Sequence, residues 1–248
     1  MDTKEAIRDY WDYRCARYST GVVETSGEEW AAWKQALETA LKGRGRLKVL
    51  DVGTGPGILA MMLAELGHEV TGLDLSSAML EKARRNAEEK GLAIDFRQGD
   101  AENLEFPDGT FDAVTSKFLL WTLPHPEKAM AEWNRVLKKQ GVVIAIDGDW
   151  HSASPYIWSI RKLSEAVRYL KKDDYLPEFK KRYDPIVGEL PLYCLKPGRV
   201  KSMLADAGYA AIEIQRMDDL CRSARKNGSL LDKLDYAYPI YFMKAEKQ

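Results

Sequence analysis

The chain has 248 residues, 45% of them hydrophobic and 30% charged, and a formal net charge of −1, which fits one domain with a substantial core and gives no overall pull towards nucleic acid or an anionic membrane. Its three cysteines, Cys15, Cys194 and Cys221, lie far apart without metal-ligand spacing, so free thiols are expected rather than a zinc centre or a disulfide scaffold. The N-terminus carries charge and no apolar signal core, and no run nears the ~20 apolar residues of a membrane span, so a cytoplasmic protein without a membrane partner is expected.

Ile7, Tyr10, Trp11, Arg14 and Tyr18 recur at helical spacing, Thr25-Ser26-Gly27 interrupts them, and Trp30, Trp33, Leu37 and Leu41 resume the pattern. Ser26 followed by Glu29 suits a capping box. Residues 1–43 therefore predict two amphipathic helices, packed on a sheet or folded as a cap with Tyr10, Trp11, Tyr13 and Tyr18 as candidate walls.

Lys48 to Ala60, KVLDVGTGPGILA, holds more information than any other stretch. An apolar strand ends at an acid, passes through Gly53, Gly55 and Gly57, and re-emerges as an apolar helix whose first N–H groups are free to hold a ligand. A dinucleotide fingerprint needs its third glycine where Ile58 stands, and no Lys-Ser or Lys-Thr pair follows to grip a phosphate. Asp51, just before the glycines, would repel a pyrophosphate and suits a cationic group.

His68 to Asp74 reads as a second strand ending in an acid, and Ser76 caps a helix running to Gly91 with Met79, Leu80 and Ala83 on its apolar face. Ile94 to Gln98 alternates as a third strand and leads into Gly99-Asp100-Ala101-Glu102. Pro107-Asp108-Gly109 makes a turn before a fourth strand through Phe111-Asp112-Ala113-Val114. The next helix presents Ala129, Met130, Trp133, Val136 and Leu137, is expected to end in Lys138-Lys139-Gln140-Gly141, and precedes a fifth strand from Val142 to Ile146. Asp149 to Leu195 then holds eight aromatic residues and three basic clusters, a predicted helical insertion. Val200, Met203, Leu204 and Ala207 mark a helix closed by Gly208, with a sixth strand at Ile212-Glu213-Ile214 and a seventh at Ile240 to Ala245.

The D-x-G-x-G-x-G run from Asp51 to Gly57 resembles motif I of the class I S-adenosylmethionine (SAM) methyltransferases, and Phe106 to Val114 resembles the FPDxxFDxV signature of the branch holding the ubiquinone and menaquinone enzymes. The resemblance runs from about Lys48 to Asp149. It implies an α/β, Rossmann-like sheet of seven strands, mostly parallel with the last reversed, and helices on both faces. The chain would divide into a helical cap (1–43), a SAM-binding core (44–150), a lid (151–196) and the end of the core (197–248).

The resemblance further implies SAM as cofactor, S-adenosylhomocysteine (SAH) as product, and no metal. Asp74 would accept the ribose hydroxyls, Asp100 the adenine amino group, and the Ala101 N–H would reach the ring. Asp51, Gly53, Thr54, Gly55, Gly57, Leu75, Met79, Glu102 and Lys117 complete the expected cofactor set, with Arg14 and Tyr18 from the cap. Phe118, Trp121, Trp150, Tyr175 and Tyr183 are expected around a small-molecule acceptor. His68 and His125 read as structural. His151 and Asp147, past the carboxyl end of the fifth strand, are the candidate bases if the acceptor must lose a proton; in-line methyl transfer can also proceed without one. An RNA or protein methyltransferase is disfavoured, because SKFLLWTLP stands where an N/D-P-P-Y/F signature would, and no added RNA-binding domain is evident. A SAM- or SAH-binding protein without catalysis stays open, as does the oligomeric state.

Overall fold

Seven strands run through the centre of the computed structural model, which describes residues 2–15, 27–151, 154–170, 175–218, 234 and 238–248. They are β1 (Lys48–Val52), β2 (Glu69–Asp74), β3 (Asp95–Gln98), β4 (Phe111–Lys117), β5 (Leu137–Gly148), β6 (Tyr209–Arg216) and β7 (Ile240–Lys247), in the spatial order β3-β2-β1-β4-β5-β7-β6. All neighbours are parallel except β7, which is antiparallel to both β5 and β6. The order reverses between β1 and β4, and open sheets of this kind leave a crevice at the carboxyl ends there.

Alternation along the strands assigns the layers. Val142, Ile144 and Ile146 face the side covered by α2 (Glu28–Ala40), α3 (Ile58–Glu65) and α4 (Ser77–Glu89). Val143 and Ala145 face the opposite side, covered by α5 (Pro126–Val136) and α8 (Pro197–Asp206). Trp33, Leu37 and Trp133 are fully buried in these layers, each such side chain contributing roughly 1.5–3 kcal/mol. A third apolar cluster joins α1 (Thr3–Cys15) to α7 (Tyr175–Tyr183), while α6 (Pro155–Leu170) lies beside α7.

Two local expectations need correction. Lys138, Lys139 and Gln140 belong to β5 and not to the end of α5. Leu137 is extended and pairs with Phe111, the Lys138 ammonium lies 2.7 Å from Asp112, and Gln140 adopts a φ of 61°, absorbing an irregularity in register. The N-cap of α2 is Gly27 with no side-chain cap; Ser26 lies outside the described residues, and Glu29 instead accepts from Trp33 Nε1 at 3.4 Å. At α4 the expected cap is present, with Ser76 Oγ accepting from the Met79 N–H at 3.1 Å.

Candidate active site

A cavity of about 120 Å³ opens at the carboxyl ends of β1, β2 and β4. The loop after β1 lies beneath it. Gly55 has a φ of 53°, and a Cβ built there would meet nothing within 4 Å, so the backbone presents itself bare to a ligand. Gly57 does something else: a Cβ on it would come 3.2 Å from Ala83 and 3.3 Å from Phe96, so this glycine lets α3 pack on α4 and β3 and does not line the cavity.

Two acids, Asp51 buried and Asp74 half-buried, stand on either side of that loop. Asp74 ends β2 with one oxygen accepting from the Gly55 N–H at 2.8 Å and the other from the Ser76 N–H at 2.9 Å. Asp51 accepts from the hydroxyls of Thr54 at 2.6 Å and Thr115 at 2.8 Å. Burial pushes both carboxyls up to about 6 despite these hydrogen bonds. Gly53, Thr54, Leu75, Met79, Asp100, Ala101, Glu102, Lys117 and Phe118 also line the cavity, so most of the expected cofactor set converges on one space.

α1 supplies the expected Trp11 and one residue that sequence reasoning missed, Lys4. Lys4, Ile7 and Trp11, one helical face at intervals of three and four, form part of the cavity wall. The Lys4 ammonium lies 2.6 Å from both Asp100 Oδ2 and Glu102 Oε2. Burial works against the ammonium, and hydrogen bonds to those two acids outweigh it, so its pKa is raised. Only the helical spacing could have pointed to Lys4. Arg14 sits on the same helix and does not line the cavity, and Tyr18 lies outside the described residues.

Lys117 closes the far end. Burial lowers its ammonium to about 8 even though Glu29, Asp147 and Asp51 favour the charge. Its nitrogen sits 3.8 Å from the centroid of Phe118, a residue with a φ of 60°.

Neither candidate base lines this cavity. Asp147 is fully buried and its oxygens accept from the N–H groups of Gly148 at 2.7 Å and Trp121 at 3.3 Å and from Trp150 Nε1 at 3.3 Å. Burial lifts it to about 7. His151 stacks on Tyr193 at 3.7 Å, and burial, helped by Arg161, drops it to about 3. His68 Nδ1 accepts from the Leu47 N–H and His125 caps α5, as structural residues do.

The expected acceptor residues divide. Trp121 stacks on Tyr183 at 5.3 Å, Tyr183 stacks on Phe179 at 4.6 Å, and Tyr10 meets both rings edge-on. This aromatic cluster joins the cavity through Thr122, which lines it and shares a 2.7 Å hydrogen bond with the Tyr183 hydroxyl, and through Trp11. Trp150 packs edge-on to Phe118. The side chain of Tyr175 lies outside the described residues. The aromatics of α6 turn the other way, into solvent.

An open α/β sheet with a glycine-floored cavity, acids at the ends of two neighbouring strands and no phosphate-gripping loop among the described residues has the layout of a nucleotide-type site at the switch point. A family profile described as methyltransferase domain matches residues 50–145. Demethylmenaquinone methyltransferase of Thermus thermophilus is 42% identical over 116 residues, covering 46% of this chain and 52% of that protein. Phosphatidylethanolamine N-methyltransferase of Cereibacter sphaeroides is 43% identical over 149 residues, covering 59% of this chain and 70% of that protein. The chain belongs to the class I SAM-dependent methyltransferases, and is similar over part of their length to ubiquinone and menaquinone enzymes of that family. It spans about half the length of the Thermus relative it matches. Among solved structures, phosphoethanolamine N-methyltransferase 2 of Haemonchus contortus, in complex with phosphomonomethylethanolamine and SAH, superposes with a TM-score of 0.70 at 19% identity over 100% of this chain and 60% of that one. The PH0226 protein of Pyrococcus horikoshii does so with a TM-score of 0.58 at 21% identity, over 95% and 98% respectively. At those identities the likeness speaks for the fold.

Proposed function

We propose that this protein is a SAM-dependent methyltransferase acting on a small, largely apolar acceptor. The observation that carries the reading is the Asp74 carboxylate, held at the cavity by two backbone N–H groups at 2.8 and 2.9 Å, where its remaining lone pairs are free for a ribose diol. Asp51 takes the cationic amino end, and Lys117 the carboxylate of the same amino-acid moiety. Asp100 and the Ala101 N–H read the adenine once Lys4 yields its place on Asp100. Four carboxylates around one cavity suit a cationic, phosphate-free ligand and would repel a pyrophosphate.

The bound cofactor supplies a methyl group on a cationic sulfur. The chain's own part is alignment in a dry space, to which Trp11, Phe118 and Trp121 contribute by excluding water. Asp147 acts as a positioning residue that anchors Trp121 and Trp150, and transfer proceeds without a protein base. α1 serves as the cap over the cofactor, and the segment holding α6 and α7 as the lid beside the acceptor. The relatives, a demethylmenaquinone methyltransferase and a phosphatidylethanolamine N-methyltransferase, support an apolar acceptor class. A cytoplasmic location accompanies this reading.

Calorimetry with SAM, SAH and NAD tests the site: both adenosyl sulfur compounds should bind and NAD should not. Transfer of a labelled methyl group is then compared across quinols, amino-alcohol phospholipids, RNA and protein. Tight SAM binding with no transfer to any of them would leave a binding protein in place of an enzyme.

A further inference from the structure

Large exposed hydrophobic side chains among the described residues concentrate on α6: Tyr156, Trp158, Leu163, Tyr169 and Leu170 are 62%, 53%, 51%, 83% and 80% exposed. Their arrangement follows from helical geometry. Ile157 and Ser164, seven apart, are buried against the protein and fix the orientation of the helix. Tyr156, Leu163 and Leu170 then form one outward row, and Trp158, Lys162 and Tyr169 a second about 120° further round the helix, with the small exposed Ser159 and Ala166 between them. A folded protein gains nothing from showing such a face to water, and a patch of this kind marks a surface meant for an apolar partner.

We propose that this face of α6 lies in the interfacial layer of an anionic lipid bilayer. The charge around it selects that occupant over a second copy of the chain. From Pro155 to Tyr183 the sequence has eight Lys and Arg against four Asp and Glu, within a chain whose net charge is −1. Two copies meeting face to face would bring these basic segments together, whereas anionic headgroups neutralise them. The side-chain types agree. Trp and Tyr settle where apolar tails meet headgroups, Leu163 and Leu170 reach the acyl region, and Lys162 extends its stem along the apolar row with its ammonium in the headgroups. The attachment is peripheral, for no helix among the described residues is long and apolar enough to cross a membrane. It does not depend on the methyl-transfer reading.

Co-sedimentation of the full chain with phosphatidylcholine vesicles, with and without about 30% phosphatidylglycerol, tests the proposal. The expected result is binding at least ~10-fold tighter on the anionic vesicles, weakened as salt is raised from ~0.1 to ~0.5 M. Leu163→Glu with Leu170→Glu should reduce that binding ~10-fold or more while leaving circular dichroism and the melting temperature unchanged, since both positions are exposed. Should the pair prove unstable, Lys162→Glu is the second variant, expected to erase the preference for anionic vesicles. No binding to anionic vesicles, equal binding to neutral ones, or binding that survives the substitutions would each overturn it. So would lipid-free self-association in analytical ultracentrifugation that the same substitutions abolish, for then a second copy covers the face.

Discussion

The site has a polar half that lines the cavity and an aromatic half that adjoins it through Thr122 and Trp11, and they are built by different means. On the polar side, Asp74 and Asp51 are fixed by hydrogen bonds to backbone and hydroxyl groups that belong to the sheet and its loop, so each carboxylate has one position. On the aromatic side, Trp121, Phe179, Tyr183 and Tyr10 hold one another by ring packing, with Thr122 and Asp147 as the few polar ties. A half held by directional bonds to the backbone reads one ligand. A half held by packing can be reshaped by changing one ring, which suits the part that must differ between relatives acting on different acceptors.

The largest effect should come from the polar half. Asp74→Ala removes an acceptor of charge-assisted bonds, each of order 1.5–3 kcal/mol, and should weaken SAM binding ~100-fold or more in calorimetry while the chain stays folded. Near-normal affinity would remove the ribose assignment. In the aromatic half, Tyr183→Ala should cost ~3 kcal/mol in denaturant unfolding, with a drop in acceptor turnover and SAM affinity held within ~3-fold. A collapse in SAM affinity would show the two halves to be one.

Titration separates them further. Asp74 must be ionised to accept two hydroxyls, and with its carboxyl at about 6, SAM affinity should rise about tenfold between pH 5 and 7. Asp74→Asn should flatten that profile. The sign for folding is opposite. Acids raised by burial hold their protons more tightly when folded, so the stabilisation from Asp51, Asp74 and Asp147 is complete below about pH 4 and disappears as pH climbs through about 6 to 7. Thermal melts of the unliganded protein should therefore fall over the range in which SAM binding tightens.

The smallest effect concerns the seam between the halves. Lys4→Met frees Asp100 for the adenine, removing a partly exposed bridge of ~0–1 kcal/mol there together with the ion pair to the buried Glu102. SAM affinity should change by no more than ~5-fold, and towards tighter binding. Weaker binding would mean that Lys4 itself contacts the ligand.

The polar half was readable because its signals are local: the glycines, Asp51 and Asp74 sit at strand ends, and a strand end has one place in an open sheet. Asp147 and His151, the candidate bases if one is used, lie off the cavity lining for the converse reason. Sequence put them past the right strand end but could not tell that Asp147 would spend both oxygens on Gly148, Trp121 and Trp150, or that His151 would stack on Tyr193. The segment holding α6 and α7 shows the same limit. Its aromatics count alike in sequence, yet Phe179 and Tyr183 turn inward on α7 while Tyr156, Trp158 and Tyr169 turn outward on α6, a choice made by packing between distant segments.

Successive residues of a strand normally point to opposite faces, yet Lys117 and Phe118 both border the cavity. The left-handed backbone at Phe118 turns its ring to the same rim as the neighbouring amine. One torsion thus sets the spacing between a charge and an aromatic plane. A β-branched residue at 118 would both resist that torsion and remove the ring, leaving the neighbouring amine without its aromatic partner.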